Sequence, residues 1–232
     1  MSEDLQQIAE MREAFYAQIV VPFMVLPDQA YVQDLQSQNY LQALTDLAAS
    51  EDFAADIQTG FGLMLAFLSA HKDKSTAELA EILGVDRTRL YRGVTPGFGV
   101  EPPLESVWSG EVDKTTVILQ QLGQLYSQYG LGRDDSTHER LDYIGILLSF
   151  QHYLVRQEAE AWASNDDAQA RSLLMAQAEF LHTHCLQWMF AFIEAALMKA
   201  NTDFYRGHLT LLKGFLESEE ETINELLEIT AG

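Results

Sequence analysis

Three short stretches of this sequence bring side chains capable of chemistry close together. His182, His184 and Cys185 offer the nitrogen and sulfur donors that zinc prefers. On a helix, however, positions i and i+2 point about 200° apart, so the two imidazoles cannot face one ion and no metal site is expected. His184 and Trp188, four apart, do share a helical face, either as a packed imidazole and indole or as part of a ligand surface. Asp142 has apolar neighbours and, read as following a Ser136 cap, lies past the first turn, where the helix dipole would account for an acid. It calls for a cation: an internal salt bridge, or an incoming arginine held by a bidentate contact. In TAELAEILGVDRTRLYR, Ala80 and Gly84 have the spacing that lets two helices cross closely, with Leu90 as an inner residue. A helix-turn-helix over residues 76–92 would aim Arg87, Arg89 and Arg92 at phosphates or base edges.

Bulk properties oppose that last reading. The 35 acidic and 14 basic residues give a formal charge of −21, a field that repels phosphate backbones and attracts cationic partners. No phosphate-cradling GxxxxGK[ST], dinucleotide GxGxxG, nucleophile-elbow GxSxG, HExxH or CxxC motif occurs, so those enzyme classes lose support. The lone Cys185 excludes an intramolecular disulfide and sits among apolar residues, as inert packing would require. The first residues, MSEDLQQIAE, lack the basic and apolar regions of a signal peptide, and no run reaches 18 apolar residues. A soluble, cytoplasmic protein is expected.

Apolar residues recur at helical spacing almost throughout, which predicts an all-α fold. Leu5, Ile8, Arg12, Phe15 and Ile19 trace one face of a first helix that Pro22 should end. Pro27-Asp28 starts another, and the broad apolar face from Phe53 to Leu68 belongs to a core helix. Ser75 and Glu78 form a capping box for a helix expected to stop at Gly84, and Asp86 caps a short helix closed by Gly93. TPGFGVEPPLESVWSG carries three of the five prolines and must be a loop, with the GFG at 97–99 read as a turn. A helix from about Lys114 to Tyr129 leads to GLGRDDST, read as a hinge, so lobes 1–133 and 134–232 are expected. The second lobe would hold a helix capped by Ser136 with Glu139, then a segment after Ser164 too long for one helix, then a final helix from about Asp203 to Leu227.

DRTRLYRGVTPGFGVEPPLESVW resembles the signature of the TorD/DmsD/NarJ-type chaperones of redox-enzyme maturation, in which a helix runs into a proline-rich loop ending in PP-x-x-S-aromatic. Here those positions are Arg89-Leu90-Tyr91, then Pro102, Pro103, Ser106 and Trp108. In order along the chain, MREAFYAQIVVPFMVLPD, ERLDYIGILLSFQHYL, FLHTHCLQWMFAFIEAA and FYRGHLTLLKGFLE resemble further segments of that family. One departure is Tyr143, where the family usually has histidine beside the acid at Asp142.

The resemblance implies a two-lobed helical bundle of about ten helices, monomeric or domain-swapped. It also implies a non-enzymatic function: holding the twin-arginine signal peptide and apo-form of a molybdenum-containing oxidoreductase while cofactor is inserted and export is delayed. No cofactor is implied, although guanine-nucleotide binding has been proposed for some members. The expected peptide site comprises Pro103, Leu104, Glu105, Ser106, Trp108, Asp142, Tyr143 and His184, converging at the junction of the lobes. Leu104 and Trp108 would bury the apolar part of the leader while Glu105 and Asp142 select its arginines. The alternative is the helix-turn-helix regulator described above.

Overall fold

The structure is a computed structural model that describes residues 2–93, 99–110, 112–132 and 139–230. Among these there are eleven α-helices and no strand beyond one isolated bridge, an all-α fold. In order they are α1 (Ser2–Met24), α2 (Gln29–Leu35), α3 (Gln38–Ala49), α4 (Ala55–Ala70), α5 (Thr76–Tyr91), α6 (Glu105–Trp108), α7 (Thr115–Gln128), α8 (Ile144–Ala163), α9 (Asp167–Phe180), α10 (Met189–Leu197) and α11 (Asp203–Ile229). No described helix is long and apolar enough to cross a membrane.

Two compact units form. One comprises Met1–Val20, Pro103–Met189 and Glu219–Gly232; the other comprises Val21–Pro102 and Phe190–Ser218. The expected boundary at 133–134, the Ser136 cap and most of the GFG turn lie outside the described residues.

In the unit containing residues 21–102, local caps behave as their chemistry requires. Asp28 accepts from the Tyr31 amide, and Ser75 and Glu78 satisfy each other's backbone donors in a capping box. Two expected helix ends are corrected. Helix α1 runs through Pro22 to Met24, and its last carbonyls find a partner outside the helix: the buried Arg87 guanidinium donates to the oxygens of Pro22 and Phe23. Helix α5 is continuous through Gly84 and Asp86. Asp86 caps no helix of its own sequence neighbourhood; it is buried and accepts from the Asn201 and Thr202 amides and the Thr202 hydroxyl, at the start of α11. The helix ends at Tyr91 with Arg92 as its C-cap, and Gly93 is left-handed at φ 59°. Helices α4 and α11 cross at Gly60 and Gly207, where an added Cβ on Gly207 would lie 2.5 Å from the Gly60 oxygen. Phe61, Leu68, Leu83, Leu90, Phe192, Phe204 and Leu212 fill this core.

In the other unit, α8 is buried on most of its surface, with Leu147, Leu148, Leu154 and Val155 fully inside. Asp166 caps α9 by accepting from Gln169, after Asn165 turns the chain at φ 57°. The long segment that follows breaks without a proline: Leu181–Cys185 forms a π-helical turn between α9 and α10. Arg12, on the first apolar stripe, enters this core and meets Glu219 through Nε and Nη2 at 2.9 and 2.8 Å and Glu158 through Nη1 at 2.7 Å. Gln177 and Trp162 complete the network through bonds to Glu158 of 2.9 and 3.0 Å.

Candidate functional site

The proline-rich segment is fixed to the start of α8 by backbone pairing. Leu104 and Tyr143 form an antiparallel bridge, the Glu105 amide donates to the Asp142 oxygen at 3.0 Å, and the Ile144 amide donates to the Pro103 oxygen at 2.9 Å. Each bond satisfies a backbone group next to a helix end, where the helix itself provides no partner. Asp142 therefore precedes α8 instead of lying within it, which corrects the expected helix start.

Side chains lock the same elbow. The fully buried Asp142 carboxylate accepts from Arg140 Nε and Nη2 at 3.0 and 2.9 Å and from the Ser106 amide at 3.2 Å. Arg140 also donates to the Ser106 hydroxyl at 2.8 Å. His184 Nδ1 donates to both Glu105 oxygens at 3.0 Å, since a carboxylate offers only acceptors. The Trp188 indole donates to the His184 backbone carbonyl at 2.7 Å, and both residues are buried. His184 sits in the π-helical turn, whose widened ring lets its side chain reach Glu105.

All the expected site residues thus fall in one unit, and most are buried. The Glu105 and Asp142 carboxylates are each buried and bonded to a cation or imidazole of their own chain. Leu104 and Trp108 are half-buried. Among the described residues no group of three or more His, Cys, Asp or Glu is placed to hold a metal ion, and His182 is exposed where His184 is buried. Burial pushes the Cys185 thiol well above its ordinary range, aided by Glu105, so it is a packed and unreactive group.

Two cavities adjoin the elbow. The larger, about 390 Å³, is lined mainly by Tyr126, Leu131, Leu141, Ile146, Phe150 and Tyr153, with Glu139 also on its wall. Tyr126 donates to the Leu141 oxygen at 3.2 Å, and burial holds its phenol far above the usual tyrosine range. The smaller, about 280 Å³, has Tyr129, Glu179, Phe180, Thr183 and His184 in its wall. Phe150 lines both. Sequence reading missed these aromatic walls and Arg140; the only signal was the run of tyrosines and phenylalanine at 126, 129, 150 and 153 on two separate helices.

Residues 50–194, more than half the chain, match the family described as nitrate reductase delta subunit. Chaperone protein TorD of Photobacterium profundum is 27% identical over 157 residues, covering 66% of this chain and 69% of that protein. Chaperone protein TorD of Vibrio cholerae serotype O1 is 27% identical over 111 residues, 48% of this chain and 49% of its own length. The matched region contains the proline-rich elbow, Asp142, Tyr143 and His184, and on this basis the chain belongs to the nitrate reductase delta subunit family, the group of TorD-type chaperones.

Proposed function

We propose that this protein is a cytoplasmic, non-enzymatic chaperone of redox-enzyme maturation that binds the leader peptide and apo-form of a molybdenum-containing oxidoreductase. In this reading the twin-arginine leader lies along the elbow of Pro103, Leu104, Ser106, Trp108 and Tyr143, with its apolar stretch in the cavity behind Leu141. The observation that carries it is the pairing of a rigid elbow with an aromatic cavity of about 390 Å³ in the same unit. Mostly apolar cavities with few polar groups suit desolvation of a greasy segment. A preformed wall lowers the ordering cost of holding a flexible peptide.

The roles of the buried acids change accordingly. Asp142 and Glu105 position the elbow through Arg140 and His184, while the net charge of −21 steers a cationic leader toward the protein. Tyr143, in the position of the family histidine, contributes its backbone to the elbow and a fully packed ring, which needs no protonation. The regulator alternative loses its ground, because Arg87 is 1% exposed and α5 has no turn.

Calorimetric titration with a synthetic leader carrying an arginine pair and an apolar run tests the reading. Trp108→Ala should weaken binding by about 2 kcal/mol, the usual cost of truncating an aromatic anchor. Ser149→Phe, which fills the larger cavity from its wall, should also weaken it. Unchanged affinity in both variants would move the site elsewhere.

A further inference from the structure

We propose that Glu179 is the residue that reads a leader arginine, whose guanidinium occupies the smaller cavity between Tyr129, Phe150 and Phe180. This rests on the leader-binding reading above and assigns its charge selectivity to one side chain.

The acids expected to do this work are already engaged. Asp142 is bonded to Arg140 and Glu105 to His184, and both are buried. Glu179 is exposed, lies on the last turn of α9, and pairs with no cation among the described residues. No lysine or arginine among those residues lines the cavity, and the imidazole in its wall, His184, is bonded to Glu105.

The wall chemistry favours a guanidinium over other cations. A planar guanidinium can stack on an aromatic face and at the same time give two parallel hydrogen bonds to a carboxylate. Glu179 stands near Tyr129, whose phenol is raised above its ordinary range by burial and then by that neighbouring negative charge. Carboxylate and ring therefore share one small space. Thr183 adds a hydroxyl that can accept from a remaining guanidinium N–H.

Phe150 lines this cavity and the larger apolar one. With Phe150 common to both walls, a single extended peptide can place a cation in one cavity and an apolar side chain in the other. Charge and greasiness are then read in adjacent subsites, with the elbow as a fixed edge.

The test uses the full-length protein and two labelled synthetic leaders, one with an arginine pair before an apolar run and one with both arginines replaced by glutamine. Fluorescence anisotropy is measured for the wild type, Glu179→Gln and Ser149→Phe. Glu179→Gln should weaken the arginine leader about tenfold, the scale of one charge-assisted contact, and leave the glutamine leader unchanged. Equal weakening of both leaders, or of neither, would overturn the assignment to Glu179, while continued sensitivity to Ser149→Phe would leave leader binding itself standing. If the wild type binds neither leader, the leader-binding reading fails and this assignment with it.

Discussion

Arg140 grips Asp142 from two residues away, with Nη2 and Nε 2.9 and 3.0 Å from the carboxylate oxygens, and that carboxylate also receives the Ser106 amide. One fully buried acid therefore joins the start of α8 to the proline-rich elbow. Asp142→Ala leaves the Ser106 amide without its partner and should destabilise the protein by about 1–3 kcal/mol, the cost of an unsatisfied buried donor. Urea denaturation checks this; Arg140→Ala should cost less, since Arg140 is 41% exposed and water can replace it. Equal stability of Asp142→Ala and wild type would show that the elbow is held by its backbone bonds alone.

The Arg12 network should be the most fragile polar feature of its unit. Arg12→Met would leave Glu158 and Glu219 buried without their cation, and removing one partner of such a group typically costs about 3–5 kcal/mol. Denaturant midpoints measure the loss. A loss below about 1 kcal/mol, the level of an exposed pair, would mean that the carboxylates find water or a new donor.

His152 gives a pH signature. Its partial burial, reinforced by Arg156, outweighs the opposite pull of Glu13 and holds the imidazole below its ordinary value of 6.5. The unfolded chain therefore takes the proton first. The stability associated with neutral His152 is complete above pH 6.5 and is lost as pH falls from there toward the folded midpoint. His152→Gln should flatten that part of the stability profile, and an NMR titration should place the native midpoint below 6.5. A midpoint at or above that value would reverse the sign.

What could be read in the sequence was local. Asp28, Ser75 and Glu78 cap helices through atoms within three residues, so their chemistry is visible in the residues themselves. Pro22 does not end its helix, and the group that satisfies the carbonyls at that end, Arg87, is 65 residues away. Asp142 is legible as an acid needing a cation, and that cation, Arg140, lies two residues away; its place before the helix goes with the Leu104–Tyr143 pairing, a long-range contact. His184 was singled out for its spacing from Trp188, whereas its bond to Glu105 depends on the π-helical turn and on a residue 79 positions earlier. The cavities were invisible for the same reason: their walls come from α7, α8 and α9, and no single stretch carries the pattern.

Hydrogen exchange of the full-length protein, with and without a saturating arginine-pair leader, tests the location of the site most directly. The expected result is added protection in the elbow at 103–108, at the start of α8 around Ile146 to Tyr153, and at the end of α9 around Glu179, regions that line the two cavities or hold them in place. Protection confined to Val21–Pro102 and Phe190–Ser218, with no change at the elbow or α8, would contradict it.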